Sequence, residues 1–368
     1  KDENKRLLIE QIASRQAIRK KLPSYFQDAQ MVFPPRSNLE QSSSEAVARF
    51  RSKKLGGGKA MADLSAGFGV DFRFLAQNFK QADYIEPNAE LLAISEHNLM
   101  RMLEGCSISY HNLSAEDFLK LNRNYFDLLF LDPSRRDADK RRLYAIEDYE
   151  PNLIAILPQL LEIADRVYVK LSPMISIAEY QKQLEHLSEV WLISERNECK
   201  EVGFLFQKLG KEKALKVNTW DIYPESVQQF SAELPSLGKC PLGELQAFIY
   251  LPNSSILKAG IQDQCANQFQ LLKLDSNTNL YSSDKLLETF PGRKFKLLAS
   301  HKPYASALKK KKLQVISRNF PDSPEKIQQK LKLNPKGAKD FLIATSLHGQ
   351  AIFLECEWIF NSTISNGG

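Results

Sequence analysis

Residues 126–131, FDLLFL, form a nearly continuous apolar run that ends abruptly in Asp132 and Pro133. Apolar residues at consecutive positions, without polar alternation, are typical of a strand covered on both faces. Pro133 has no backbone N–H to donate to a neighbouring strand, so the strand must end there. Such a strand predicts a parallel sheet with helices packed on both sides.

The rest of the central region repeats this pattern. Strands are predicted at seven places: 59–65, 83–87, 107–112, 125–133, 166–172, 190–194 and 203–209. Helical stretches stand between the earlier strands, and Asn88 is placed to cap one of them. Alternating strands and helices predict an α/β fold with a doubly wound, Rossmann-like and mostly parallel sheet. The last two strands are separated by a few polar residues only, which predicts an antiparallel end to the sheet.

The N-terminal region is predicted to be helical. Residues 5–22 carry apolar positions such as Leu8 and Ile12 at helical spacing, which predicts an amphipathic helix. Ser42 and Glu45 have the spacing of a capping box and predict a second helix over about 43–53.

The chain of 368 residues is longer than one core usually supports, which predicts several domains. Residues 210–245 are polar and proline-containing and are read as a connector with one extra strand near VNTWDIY. A smaller α+β region follows. The predicted domains are an N-terminal helical segment, a central α/β domain with its connector, a small α+β piece and a basic C-terminal domain, at 1–58, 59–245, 246–296 and 297–368.

Composition excludes several classes of protein. No apolar run approaches the roughly 18 residues that a membrane span needs. The opening KDENKRLL has no signal-peptide pattern, and we expect further residues to precede it. The five cysteines form no CxxC pair, and the five histidines are scattered, so we expect a cytoplasmic protein without a metal. Nothing in the sequence sets the oligomeric state.

Positive charge is concentrated near the C-terminus. Residues 291–339 contain 14 lysines or arginines against two acids, a balance of +12 in a chain whose net charge is +6. The run Lys309, Lys310, Lys311 and Lys312 lies within it. Such asymmetry is typical of a surface that binds a polyanion such as RNA, because each neutralised phosphate releases counterions. A solvated lysine-rich face explains the charge equally well.

A candidate ligand site lies where the predicted strands end. ADLSAGFGVD follows the first strand, and Gly67 and Gly69 allow a tight turn close to a ligand. Phe72 stands where a dinucleotide-binding loop needs a small residue, which favours a ligand without a pyrophosphate. Glu86, at the end of the second strand, is placed to accept the hydroxyls of a ribose. Asp63 belongs to the same edge and needs a partner if it is buried.

Two further segments reach this edge. In SAEDF, Ser114 either caps a helix or borders an adenine together with the neighbouring backbone. Asp132 and the carbonyl of Pro133 present hydrogen-bond acceptors at the end of the apolar strand. The N-terminal helices are candidates to cover the edge through residues 43–45, although a simple helix cap is the preferred interpretation of those residues.

In this order DLSAGFGVD, YIEP, SAEDF and FDLLFLDPSRR, the chain resembles the class I S-adenosylmethionine-dependent methyltransferases. The segments FPPRSNLEQSSSEAVARF, LPNSSILKAG, FPGRKFKLLAS, LQVISRNF and KGAKDFLIAT are similar to those of a bacterial family in which a ferredoxin-like piece and a THUMP-like domain follow the catalytic domain.

The resemblance implies roles for individual residues. Those implied to bind S-adenosylmethionine are Asp63, Ser65, Ala66, Gly67, Gly69, Asp71, Glu86, Pro87, Ser114, Ala115 and Glu116. Asp132 and Pro133 take the place of an Asn/Asp-Pro-Pro-aromatic motif and are implied to be catalytic, but Ser134 and Arg135 depart from it. Arg135 either stacks on a base or binds phosphate together with Arg136.

The sequence thus predicts an S-adenosylmethionine-dependent methyltransferase that acts on structured RNA, tRNA or rRNA, with Arg135, Arg136 and Lys309–Lys312 contacting the substrate. The alternative is an assembly factor that binds a nucleoside or RNA without catalysis. A nucleotide-dependent oxidoreductase is disfavoured by Phe72 and by the Asp-Pro strand end.

Overall fold

The structure is a computed structural model. It describes residues 2–135, 149–180, 184–208, 214–235 and 238–359. The chain divides into two compact units. The first comprises Lys1–Glu195 and Lys200–Leu215, and the second comprises Arg196–Cys199 and Lys216–Gly368.

The first unit is built on a sheet whose strands follow the sequence prediction closely. They are β1 Gly58–Asp63, β2 Phe79–Ile85, β3 Ser107–His111, β4 Leu128–Leu131, β7 Arg166–Leu171, β8 Leu187–Glu195 and β9 Glu198–Gln207. Their order is β8-β9-β7-β4-β1-β2-β3. The pairs among β3, β2, β1, β4 and β7 are parallel, whereas β7 and β9 pair antiparallel. Two short strands, β5 Ser134–Arg135 and β6 Tyr149–Glu150, pair with each other beyond β4.

Helices connect these strands. They are α5 Val70–Ala76, α6 Ala89–Met102, α7 Ala115–Leu121, α8 Leu153–Ile163 and α9 Ile177–Tyr180. The Asn88 side chain accepts from the backbone N–H groups of Glu90 and Leu91, so this predicted cap is confirmed. All four residues of β4 are buried, as the apolar run FDLLFL indicated. The predicted doubly wound sheet with an antiparallel end is confirmed.

Four helices precede the sheet: α1 Asp2–Ile18, α2 Pro23–Gln27, α3 Arg36–Gln41 and α4 Glu45–Leu55. Apolar residues from this region, including Tyr25 and Leu39, form one buried cluster with Phe68 and Val70. The predicted capping box was wrong, because α4 begins later than a cap at Ser42 would require. Its cap is Ser44, which accepts from the Val47 N–H, while the carboxylate of Glu45 binds Ser24 instead.

The amphipathic pattern of α1 does not produce a buried face at the predicted positions. Leu8 is 61% exposed and Ile12 is 53% exposed, while the buried end of the helix is Ile18. The packing of α1 comes from its C-terminal turn and from side chains such as Gln11. The Gln11 amide donates to the Phe33 carbonyl and accepts from the Phe33 N–H.

The second unit contains the remaining elements. They are β10 Leu215–Tyr223, β11 Ser226–Leu234, β12 Phe248–Pro252, α10 Ser254–Ala259, α11 Gln262–Gln268, β13 Leu272–Lys273, β14 Tyr281–Ser283, β15 Gly292–His301, β16 Gln314–Ser317, α12 Pro324–Leu331, β17 Asp340–Leu347 and β18 Gln350–Ile359. Seven strands form a sheet in the order β13-β14-β12-β15-β18-β17-β16. The predicted smaller α+β region is confirmed.

The predicted connector holds two neighbouring nine-residue strands, β10 and β11, where the sequence indicated one. The second, SVQQFSAEL, buries only Phe230. Its second half alternates apolar Phe230, Ala232 and Leu234 with polar Ser231 and Glu233, a strand signal that the connector interpretation overlooked.

Candidate active site

A cavity of about 570 Å³ opens at the carboxyl ends of β1, β2 and β4. Cavities that hold small molecules typically measure roughly 300–1,000 Å³. The residues that the sequence assigned to a cofactor all line it: Asp63, Ser65, Ala66, Gly67, Gly69, Asp71, Glu86, Pro87, Ser114, Ala115 and Glu116. Asp132 lines it too, whereas Pro133 is not among the lining residues. The fold thus brings together four segments that are far apart in the sequence.

The glycine loop takes a conformation that requires glycine. Gly67 and Gly69 have φ values of +56° and +78°. The Tyr84 hydroxyl, on β2, donates to the Gly67 carbonyl at 2.6 Å and holds the loop in place. A Cβ on Gly69 would lie 3.2 Å from the Tyr84 ring and its hydroxyl. The loop is therefore held against β2, with its backbone facing the cavity.

Replacing Gly69 by alanine is expected to lower the free energy of unfolding by about 1–2 kcal/mol from backbone strain, plus the cost of displacing Tyr84. Gly105→Ala is the matched control, because Gly105 has a φ of +79° and open space around its Cβ position. Urea unfolding of both variants measures the difference. Equal destabilisation would show that the proximity of Tyr84 contributes nothing.

Two buried acids face the cavity. Glu86 is 7% exposed, and its carboxylate accepts from the N–H groups of Gly67 at 3.1 Å and Asn88 at 2.8 Å. Burial raises the pKa of Glu86 above its usual range. Asp63 accepts from the Ser65 N–H at 3.0 Å. Burial, reinforced by the negative charges of Asp71 and Asp132, raises the pKa of Asp63 well above its usual range. A cationic ligand group beside Asp63 would relieve this.

Ser114 is a helix cap, the first of the two interpretations left open by the sequence. Its hydroxyl accepts from the N–H of Asp117 at 3.1 Å and donates to the Asp117 carboxylate at 2.9 Å. The cap leaves the first amides of α7, on Ala115 and Glu116, without intrahelical partners. Both residues line the cavity, so the cap and a role beside a ligand are compatible.

Asp132 is fixed by two contacts. Its backbone N–H donates to the Ser65 hydroxyl at 2.6 Å, and its carboxylate accepts from the Lys170 ammonium group at 2.5 Å. Its side chain is 37% exposed. Arg135 lies in the short strand β5, and Arg136 lies outside the described residues. The role predicted for these two arginines stays a prediction.

A buried network of charges that the sequence analysis did not anticipate continues from Asp132. Lys170 also donates to Asp71 at 3.2 Å, and Asp71 accepts from Arg51, which pairs in turn with Glu201. The side chain of Arg51 is fully buried. Burial alone would raise the pKa of Asp71, but the charges of Arg51 and Lys170 outweigh burial and lower it. The carboxylate of Asp71, a predicted cofactor residue, is therefore bound by other side chains of the protein.

The N-terminal helices contribute part of the cavity wall. Asn38 and Gln41 of α3 line it, as does Ser42. Ser43 donates to Asp71 at 3.0 Å and lies one step behind the wall. Of residues 43–45, Ser43 therefore comes near the cavity, because it contacts the lining residue Asp71. Ser44 serves as the helix cap.

In the second unit, the lysine run does not act as one block. Lys309, Lys310 and Lys312 are exposed, while the Lys311 ammonium group binds both carboxylate oxygens of Glu355, at 2.6 and 2.8 Å. The structure thus leaves three of the four ammonium groups facing solvent.

Comparison with known structures gives a match along nearly the whole chain. It aligns with the crystal structure of a proposed methyltransferase of Porphyromonas gingivalis W83 at a TM-score of 0.86 and 27% identity, over 95% of this chain and 90% of that one. The chain has the class I methyltransferase fold. Residues 248–291 match the family model of a ferredoxin-like domain, and residues 292–358 match that of a THUMP-like domain. The predicted class I fold with a C-terminal THUMP-like domain is confirmed, while the exact domain boundaries stay a prediction.

Other solved methyltransferase structures are more distant. TrmK of M. capricolum, solved with S-adenosylhomocysteine, has a TM-score of 0.34 and 15% identity over 45% of this chain and 69% of that one. An rRNA methylase of Streptococcus thermophilus has a TM-score of 0.33 and 14% identity over 45% of this chain and 95% of that one. At those scores neither similarity adds to the assignment. No curated protein is significantly similar to the chain in sequence.

Among the described residues, no group of three or more His, Cys, Asp or Glu side chains is arranged to hold a metal ion. Within the same residues, no helix has the length and apolar character needed to cross a bilayer.

Proposed function

We propose that the protein is an S-adenosylmethionine-dependent methyltransferase that acts on structured RNA. The observation that carries the proposal is the cavity in which the glycine loop, the buried Glu86 and the strand-end Asp132 meet, within a class I methyltransferase fold. Ligands of open α/β sheets bind at this end of the strands.

The residues around the cavity fit S-adenosylmethionine. The carboxylate oxygens of Glu86 each accept one backbone N–H and keep a lone pair for a ribose hydroxyl. Asp63 is a buried acid with a raised pKa, and the ligand's ammonium group would supply the missing positive charge. The amides of Ala115 and Glu116 at the start of α7, which have no partner within the helix, suit the edge of an adenine. Phe72 stands where a dinucleotide-binding loop has a small residue that allows close packing beside a pyrophosphate. S-adenosylmethionine has no pyrophosphate, so Phe72 is compatible with it.

RNA is the proposed substrate because of the second unit. A THUMP-like domain occupies residues 292–358, and it contains the exposed Lys309, Lys310 and Lys312. Ammonium groups that face solvent are available to neutralise phosphates, and the release of counterions then favours binding. A small-molecule substrate would leave these lysines without a part in substrate binding.

Titration calorimetry with S-adenosylmethionine tests the cofactor. Glu86→Ala is expected to weaken binding by about 10- to 100-fold, because hydrogen bonds to a charged group contribute roughly 1.5–3 kcal/mol. The control is Glu104→Ala, at an exposed glutamate. Absence of binding to the unmodified protein, or equal binding by both variants, would contradict the proposal.

The RNA assignment has its own test. Replacing Lys309, Lys310 and Lys312 by glutamine is expected to reduce the slope of log K against log salt by roughly 0.7–0.9 for each phosphate that is no longer neutralised. The matched control replaces three exposed lysines outside the THUMP-like domain, Lys216, Lys239 and Lys285. Binding is measured with total RNA from cells that lack the protein, and transfer of a labelled methyl group to that RNA identifies it as substrate. Label found only in protein or small molecules would overturn the RNA assignment.

A further inference from the structure

Lys170 lies beside the proposed catalytic carboxylate. Its ammonium group is 2.5 Å from one Asp132 oxygen and 3.2 Å from Asp71, and the side chain is only 11% exposed. Asp132 lines the cavity, and Lys170, which is not among the lining residues, contacts its carboxylate, so a cation adjoins the acid that faces the cavity. We propose that the methyl acceptor is a hydroxyl group, a ribose hydroxyl in RNA, which Asp132 and Lys170 bind together. This inference rests on the proposed function.

Both side chains have hydrogen-bonding capacity left. An ammonium group has three N–H donors. Lys170 uses two of them on Asp71 and Asp132, and the third has no partner among the described residues. The second carboxylate oxygen of Asp132 has no protein donor in that part of the chain either. A free acceptor and a free donor thus stand side by side.

The charge of Lys170 is secured by its neighbours. Burial by itself would lower the pKa of the ammonium group, but the carboxylates of Asp132 and Asp71 outweigh burial and raise it above its ordinary value. Asp71 is in turn held by Arg51. Lys170 therefore remains a donor at neutral pH and does not act as the base.

A hydroxyl group matches this pair, whereas an amine does not. A hydroxyl has one proton and two lone pairs, so it can donate to Asp132, accept from Lys170 and still attack with its second lone pair. An amino nitrogen has one lone pair, and a hydrogen bond from Lys170 would occupy it. A positive charge beside a nitrogen that gains positive charge on methylation would also oppose the reaction.

The residues after Asp132 agree with this assignment. The motif of amino-group methyltransferases that the chain resembles continues with a second proline and an aromatic, whereas this chain has Ser134 and Arg135. Ser134 lines the cavity and pairs with Glu150 through β5 and β6. Residues 132–135 therefore supply no ring on which a base would stack, and an acceptor outside the base does not need one.

When bound, S-adenosylmethionine supplies the methyl group. The hydroxyl oxygen forms the C–O bond while the C–S bond breaks, with both electrons left on a neutral thioether sulfur. The hydroxyl proton passes to Asp132. Lys170 stabilises the negative charge that develops on the oxygen as its proton leaves. Asp132, partly exposed, can then return the proton to water.

Product analysis tests the inference. RNA methylated by the full chain with labelled S-adenosylmethionine is hydrolysed in alkali, and the label is located. Methylation of a ribose 2′-hydroxyl blocks cleavage of the adjacent phosphodiester, so the expected product is an alkali-resistant labelled dinucleotide. Label in mononucleotides whose base nitrogen carries the methyl group would overturn the hydroxyl assignment and leave the proposed function intact. Absence of label from RNA would overturn both.

Variants of Lys170 separate its charge from a structural role. Lys170→Met is expected to slow single-turnover methyl transfer by about 10²–10³-fold, the effect of removing one donor to a developing oxyanion. Calorimetric affinity for S-adenosylmethionine should stay unchanged. Lys170→Arg keeps the charge and should recover part of the rate, while Lys80→Met, at an exposed lysine, should retain all of it. A folded Lys170→Met variant with the unmodified rate would contradict the inference.

Discussion

Arg51→Met is expected to lower the free energy of unfolding by about 3–5 kcal/mol, the cost of removing one partner from a buried ion pair. Arg51 is fully buried and binds the carboxylates of Asp71 and Glu201. Its removal would leave the buried carboxylates of Asp71 and Glu201 with less positive charge, although Lys170 still donates to Asp71. Urea unfolding at neutral pH measures the change.

Arg49→Met is the matched control on the same helix. The Arg49 side chain is 63% exposed and pairs with Glu45 across one turn, so its replacement should cost less than about 1 kcal/mol. Similar destabilisation by both variants would show that the network is not worth more than a surface pair.

The pH dependence of the Arg51 variant follows from the same charges. Arg51 and Lys170 lower the pKa of Asp71 against the effect of burial, so in the unmodified protein Asp71 contributes stability above the unfolded pKa, and this is lost as pH falls through the folded pKa. Without Arg51, Lys170 is the cation left to oppose burial, so the pKa of Asp71 rises and its carboxylate takes up a proton more readily. The destabilisation should therefore be smaller at pH 5 than at pH 8.

Local patterns in the sequence were sufficient to predict the doubly wound sheet of the first unit. The run FDLLFL predicted β4, which is buried along its whole length, and Asn88 predicted the start of α6. These signals are local because a buried parallel strand must be apolar on both faces and a helix must satisfy its first N–H groups. The edge of the sheet then follows, since parallel strands end on the same side. For this reason the predicted residues, from Asp63 to Asp132, meet at one cavity.

The charge network could not be predicted in the same way, because its members pair across the chain. Arg51 stands in EAVARFRSKKL, where the neighbouring Arg49 and Lys53 make it look like one more surface cation. Its partner Glu201 lies 150 residues away. One signal was present: Lys170 interrupts the apolar run RVYVKL, and a charge within a buried strand needs a partner. The sequence does not say which one.

Asp132→Ala is expected to slow methyl transfer by about 10²–10⁴-fold, the usual contribution of a positioned proton acceptor. Affinity for S-adenosylmethionine should change little, because Asp63 and Glu86 lie at the carboxyl ends of other strands and keep their own hydrogen bonds. Asp165→Ala, at an exposed carboxylate bound to Tyr125, is the control and should retain the full rate. Single-turnover transfer to RNA measures the rate, and calorimetry measures the affinity.

Asp132→Asn distinguishes the two kinds of acceptor. An amide keeps a carbonyl oxygen that can orient an amine, so an enzyme that methylates nitrogen should retain much of its rate. A hydroxyl must lose its proton as the new bond forms, and an amide does not accept it. If the acceptor is a hydroxyl, Asp132→Asn should be nearly as slow as Asp132→Ala, and its rate should rise with pH as hydroxide in solution replaces the missing base. A fast Asp132→Asn variant would point to an amine. Of the two side chains at this position, Asp132 and Lys170, only Asp132 can take up the proton that a hydroxyl releases.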